Sequence, residues 1–85
     1  MGVKLFYKDN SEETRAVTEF LHDLEKRTGK TLEVIDPDSP HGEELCELYE
    51  IFSYPAIIAT AEDGTLKEAW RGLPLPLIDE VSYYV

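Results

Sequence analysis

The chain is poor in cysteine, in basic residues and in long hydrophobic runs, and each shortage excludes a class of protein. Its 85 residues include one cysteine, so no intrachain disulfide can form and a disulfide-stabilised secreted scaffold is excluded. Eighteen acidic residues outnumber 8 basic ones, and the resulting charge of −10 argues against binding to nucleic acid or to an anionic membrane. No apolar run approaches the roughly 20 residues of a membrane helix, and no signal peptide is recognisable. We therefore expect one cytoplasmic domain, residues 1–85, whose partner is a protein or peptide. A basic partner would complement the negative charge of the chain best.

A stripe of apolar residues predicts the first helix, over residues 11–29. The apolar side chains that share one helical face are Val17, Phe20, Leu21 and Leu24. Asn10 or Ser11 would cap the first turn, where acidic residues would complement the helix dipole. Gly29 would end the helix, because glycine adopts the left-handed conformation without steric cost.

Two shorter segments also have helical character. Residues 43–52 repeat the apolar spacing of a helix, with Leu45, Leu48, Tyr49 and Phe52 as the apolar positions. Ser39 or His41 would lie near the start of that helix, with Glu43 and Glu44 in its first turn. The chain's last helix would begin with Pro76 in its first turn.

Four short segments predict strands. Residues 3–10 are typical of a strand ending in a loop, and residues 32–36 of a second strand that Pro37 terminates. With the first helix between them they form a βαβ unit, whose strands are parallel. Residues 56–60 and 66–70 flank the Asp63-Gly64 tight-turn signal and predict an antiparallel hairpin. The predicted order is β-α-β-α-β-β-α, an α/β fold.

This order resembles the thioredoxin fold in its minimal, glutaredoxin-sized form. The strongest motif is residues 49–55, Tyr-Glu-Ile-Phe-Ser-Tyr-Pro, which resembles the family's Tyr-Gly-Ile-x-x-x-Pro; Phe6-Tyr7 resembles its aromatic pair. The resemblance implies a four-stranded mixed sheet of order 2-1-3-4 with helices on both faces. It also implies that Pro55 follows a cis bond and faces the active-site loop.

The residues that perform the family's redox chemistry are absent. Ser11 and Thr14 stand where the family has its two reactive cysteines, Leu5 replaces a buried acid and Asn10 a tryptophan. Hydroxyl groups do not exchange with disulfides, because that reaction requires a thiolate. The residues at 11 and 14 are therefore interpreted as helix-capping positions, and disulfide oxidoreductase activity is not expected.

The retained Pro55 beside the missing cysteines favours a redox-inactive binding module. We expect this module to use no cofactor and to be a monomer or weak dimer. Its peptide groove would lie between Asn10, Ser11 and Thr14 on one side and Tyr54 and Pro55 on the other. One alternative is binding of glutathione or another thiol ligand at Ser11. A further alternative is a scaffold similar to the circadian-clock KaiB family, which also lacks the cysteine pair and works by protein contact.

Two features outside the groove contain residues that could perform chemistry. Cys46 could serve a glutaredoxin-like redox function, but its place in the second helix predicts a small core residue. The acidic loop at residues 36–44 has Pro40 and His41 where a calcium-binding EF-hand requires a side-chain oxygen and a glycine. Neither histidine has a ligand-spaced partner, so we predict no metal site.

Overall fold

Four strands and three helices follow one another in the predicted order. The computed structural model describes residues 2–9 and 12–85, and within them the elements are β1 (Gly2–Phe6), α1 (Thr14–Thr28), β2 (Glu33–Ile35), α2 (Pro40–Tyr49), β3 (Ala56–Thr60), β4 (Leu66–Arg71) and α3 (Ile78–Ser82). None of these helices is long and apolar enough to cross a membrane.

The strands form one mixed sheet of order β2-β1-β3-β4, as expected. Strand β1 runs parallel to β2, with Phe6 opposite Ile35, and antiparallel to β3, with Phe6 opposite Ala56. All five residues of β3 are buried, which explains their uninterrupted run of small and apolar side chains. The predicted fold class is confirmed.

The two faces of the sheet carry separate core clusters, because successive side chains of a strand point to opposite faces. The first core cluster lies against α1 and α3 and consists of Val3, Leu5, Val17, Phe20, Leu24, Leu32, Ile57, Ala59 and Val81. The second core cluster lies against α2 and consists of Phe6, Ile35, Cys46, Ile51, Ala56 and Ile58. Helices therefore cover both faces, as predicted.

The start of α1 differs from the expectation. The helix begins at Thr14, with Glu13 at the N-cap position and no side-chain cap hydrogen bond. Its first backbone bond runs from the Val17 N–H to the Glu13 carbonyl at 3.0 Å. The acidic residues at 12 and 13 thus precede the helix, and its first turn contains no acid. Gly29 ends the helix in the left-handed conformation, with φ 72°, as predicted.

Helix α2 is displaced by three residues from its predicted limits. It begins at Pro40, because the fixed φ of proline suits the first helical position. Ser39 caps the helix, and its hydroxyl oxygen accepts the Gly42 N–H at 3.0 Å. It ends at Tyr49, because Glu50 adopts the left-handed conformation with φ 57°. Phe52, predicted to continue the helix, therefore lies outside it.

The hairpin and the last helix complete the described chain. Gly64 has φ 87° in the predicted turn, and the Thr65 N–H donates to the Asp63 carboxylate at 3.0 Å, which lowers the Asp63 pKa. Helix α3 begins at Ile78 with Leu77 at its N-cap, so Pro76 precedes the helix rather than lying in its first turn.

Candidate functional site

Four side chains from different segments meet at one end of the sheet, and we refer to them as the Tyr54 cluster: Lys8, Asp38, Cys46 and Tyr54. Lys8 follows β1, Asp38 lies in the loop before α2, and Tyr54 precedes β3. The Lys8 ammonium lies 5.4 Å from the centre of the Tyr54 ring and 3.6 Å from the Asp38 carboxylate. The carboxyl ends of β1 and β2 and the start of β3 thus converge on one aromatic ring.

The Tyr54 hydroxyl is held on the protein side of the cluster. It lies 3.5 Å from the Cys46 sulfur and donates to the Ile51 carbonyl at 3.4 Å. Burial, the contact with Cys46 and the negative charge of Asp38 together raise the Tyr54 pKa from 10.0 to about 12. At neutral pH this hydroxyl is protonated, so it serves as a hydrogen-bonding group rather than as a base.

Pro55 shapes the backbone and presents no side chain at the surface. The Tyr54–Pro55 peptide bond is cis, and the proline ring is fully buried. Its carbonyl accepts the Gly72 N–H at 2.8 Å, which joins the start of β3 to the end of β4. Of the predicted Tyr54-Pro55 pair, only the half-buried Tyr54 is accessible to a partner.

The other side of the predicted groove is described only in part. Thr14 is half-buried at the start of α1, and its carbonyl accepts the Thr18 hydroxyl at 2.7 Å. Asn10 and Ser11 lie outside the described residues. The predicted juxtaposition of residues 10 and 11 with Tyr54 therefore stays a prediction.

The chain's one thiol is buried. Cys46 is 5% exposed and packs in the second core cluster beside Phe6 and Ile51, as expected for a core residue. A thiol reacts with disulfides through an accessible thiolate, and burial withholds that access. Within residues 2–9 and 12–85, no three His, Cys, Asp or Glu side chains are grouped so that they could hold a metal ion.

The comparisons with known proteins bear on the fold. Thioredoxin 1 from the thermophilic eubacterium Thermosipho africanus aligns with 99% of this chain and 89% of its own, at 18% identity and a TM-score of 0.65. A structure described as that of a malarial protein aligns with 98% of this chain and 94% of its own, at 19% identity and a TM-score of 0.66. The protein has the thioredoxin fold. No family model and no curated protein matches the sequence.

This thioredoxin-fold protein lacks the Cys-x-x-Cys pair, since it has one cysteine. A cleft of 280 Å³ lies at the ends of β1 and β2 and is lined by Tyr7, Asp9, Val34 and Asp36. The two charged side chains that line this cleft, Asp9 and Asp36, are both carboxylates, so the charge of the cleft is acidic. A cationic or neutral ligand would meet less electrostatic opposition here than an anionic one.

Two residues of this end of the thioredoxin fold were missed by sequence reasoning. Lys8 could have been found, because it follows a strand of the parallel pair, at the edge where sites concentrate in α/β sheets. Phe52 is 72% exposed, two positions before Tyr54. The helical spacing of Phe52 predicts a residue packed within α2. The helix instead ends before Phe52 because Glu50 is left-handed, and no residue pattern in the sequence indicates that conformation.

Proposed function

We propose that this thioredoxin-fold domain binds a protein or peptide segment at a surface that includes Phe52 and Tyr54, on the Tyr54 side of the groove predicted against residues 10–14. The observation that carries the proposal is the 72% exposure of Phe52, two positions before Tyr54, whose hydroxyl is held by Cys46 and Ile51. In this function the domain binds without exchanging disulfides.

The exposure of Phe52 is a property of the backbone. The left-handed Glu50 ends α2, and Ile51 enters the second core cluster immediately after it. The next side chain then faces solvent, where a phenyl ring gains nothing from burial in the isolated domain. Aromatic residues are enriched at the centres of protein interfaces, so an exposed ring in a structured segment suits a partner contact.

Tyr54 would supply a rigid neighbour for that contact. Its hydroxyl is held near Cys46 and Ile51, and its ring faces the Lys8 ammonium, so few rotamers are lost when a partner binds. The acidic groups around it and the chain charge of −10 favour a partner segment with basic residues.

Redox chemistry is not part of the proposed function, because the chemistry of disulfide exchange needs a reactive thiolate and usually a second, resolving thiol. The chain carries one cysteine, and that cysteine is buried. Reduction of insulin in the presence of dithiothreitol should therefore proceed at the uncatalysed rate. Turnover that disappears in a Cys46→Ala variant would contradict this part of the proposal.

The binding surface can be tested with peptides selected from a random display library on the wild-type domain. We expect Phe52→Ser to weaken the selected peptides by about ten-fold or more, the loss typical of an interface anchor. Tyr83→Ser is the matched control, because Tyr83 is an aromatic residue 80% exposed that follows α3 on the other layer. Equal losses in the two variants, or none in Phe52→Ser, would refute the assigned surface.

A further inference from the structure

A larger cleft lies on the opposite layer of the molecule, between α1 and the segment that leads into α3. It has a volume of 380 Å³ and is open to solvent. The lining residues that matter here are Phe20, Asp23 and Arg27 of α1, and Leu75, Leu77 and Asp79 across from them. We propose that this cleft, called the α1–α3 cleft below, binds a cationic amphipathic segment of a partner protein.

Leu77 is an exposed apolar residue at the start of α3. It occupies the N-cap of α3, where Ser, Thr, Asp or Asn would satisfy a free helix amide and leucine satisfies none. The backbone there is held in place, since the Leu77 N–H donates to the Glu80 carboxylate at 3.1 Å and its carbonyl accepts the Glu80 N–H at 3.0 Å. The side chain is 71% exposed. This leucine stabilises neither the helix start nor the core.

The segment that presents Leu77 is restricted in conformation. Residues 73–77 read Leu-Pro-Leu-Pro-Leu, and each proline has a fixed φ. The middle leucine, Leu75, packs against the first core cluster, while Leu73 and Leu77 point outward. The exposed Leu73 and Leu77 are therefore held on a backbone of restricted conformation. Binding a partner then costs little backbone conformational entropy, which favours association.

The charges of the α1–α3 cleft define the partner. Three lining carboxylates, those of Glu19, Asp23 and Asp79, face one guanidinium, that of Arg27. Glu19 pairs with Arg15 at 3.2 Å, whereas Asp23 and Asp79 have no ion-pair partner among the described residues. A second copy of this chain, also of charge −10, would be repelled. A lysine or arginine beside an apolar residue complements both the carboxylates and the leucine.

The α1–α3 cleft is separate from the surface assigned under the proposed function. The α1–α3 cleft lies over the first core cluster, whereas Ile51 and Tyr54 beside Phe52 pack on the second core cluster, across the sheet. A variant on one layer should leave binding on the other unchanged.

The test uses two synthetic amphipathic peptides with the same leucine pattern, one with lysines and one with glutamates on its polar face. The isotopically labelled domain is titrated with each and followed by its amide chemical shifts. The lysine peptide should shift amides of residues 16–27 and 75–79, and the glutamate peptide should not bind. Asp23→Lys and Leu77→Ser should each weaken the lysine peptide by roughly three- to ten-fold.

Two controls keep the test decisive. Glu47→Lys makes the same change in net charge on the exposed side of α2 and should alter the affinity by less than about two-fold. Leu77→Ser places a favoured cap at the helix start, so this variant should remain folded. Shifts confined to other surfaces, equal losses in Glu47→Lys and Asp23→Lys, or unchanged binding by Leu77→Ser would each overturn the proposal. Self-association that Leu77→Ser abolishes would overturn it as well, by assigning the cleft to a second copy.

Discussion

Replacing Gly42 by alanine should destabilise the protein although the residue lies inside a helix, where alanine is normally preferred. A Cβ atom at this position would overlap the Asp36 carbonyl oxygen and would lie 3.0 Å from the Pro37 Cα. To reach an ordinary contact distance, the start of α2 and the preceding loop would have to separate by about 1.5 Å or more.

The size of the effect follows from the hydrogen bonds at that oxygen. The Asp36 carbonyl accepts both the Ser39 N–H at 3.1 Å and the Ser39 hydroxyl at 2.7 Å, and that hydroxyl oxygen accepts the Gly42 N–H at 3.0 Å. Loss of such a cap costs about 0.5–2 kcal/mol, and crowding a packed site about 1–3 kcal/mol. The helix preference of alanine returns about 0.5–1 kcal/mol. We expect a net loss of about 2–3 kcal/mol.

Urea unfolding followed by Trp70 fluorescence and helical circular dichroism measures this loss, since Trp70 is half-buried and is the chain's one tryptophan. Gly29→Ala is the matched control. No atom lies within 4 Å of the added Cβ there, so this variant should lose only the roughly 1–2 kcal/mol of a left-handed alanine. A Gly42→Ala protein as stable as the wild type would refute the close approach of α2 to Asp36.

Three further predictions concern the interior and the Tyr54 cluster. The Tyr54 pKa is about 12 in the folded protein, against 10.0 for a free tyrosine. The protonated hydroxyl therefore contributes to the free energy of unfolding fully below pH 10, and this contribution is lost as the pH rises towards 12. Because the ring is only half-buried, this stability contribution is limited to about 1 kcal/mol. Tyr54→Phe should reduce the dependence of the unfolding free energy on pH between 10 and 12. An unchanged pH dependence in this variant would count against the raised pKa. The Cys46 thiol should react with a thiol-specific reagent at least about ten-fold more slowly in the native than in the unfolded protein, and equal rates would contradict its burial. Leu24→Ala should cost about 2–5 kcal/mol in urea unfolding, because Leu24 is fully buried; a loss under about 1 kcal/mol would argue against the packing of α1 on the sheet.

Most of the fold follows from local patterns in the sequence. The β3 strand was predicted with its observed limits, Ala56–Thr60, because a short apolar run between a proline and a tight turn has few other interpretations. Gly29 and Gly64 were assigned correctly because their positive φ is a backbone requirement that glycine alone meets freely. The helix limits were less well predicted, since Pro40 is compatible with a loop as well as with a first helical turn.

The candidate site was predictable only in outline. Tyr54 and Cys46 were singled out from a motif and from helical position, but their 3.5 Å contact joins two segments whose relative placement no local pattern encodes. The same is true of Lys8 and Asp38, which are 30 positions apart in the numbering and form an ion pair. Pro55 was recognisable from its place in the motif at residues 49–55. Its complete burial, however, could not be predicted from that motif.

Periodicity, turn residues and composition are local or countable properties, so they were sufficient to predict the order of strands and helices and the absence of a cysteine pair. The strand order of the sheet came instead from the resemblance to the thioredoxin fold. Which side chains remain at the surface depends on the packing of the folded chain. Phe52 and Leu77 are apolar residues that periodicity or proximity to a helix would place in a core, yet the left-handed Glu50 and the cap position of Leu77 turn them outward. Exposure depends on how helices dock across the sheet, and that docking is settled by the packing of distant residues.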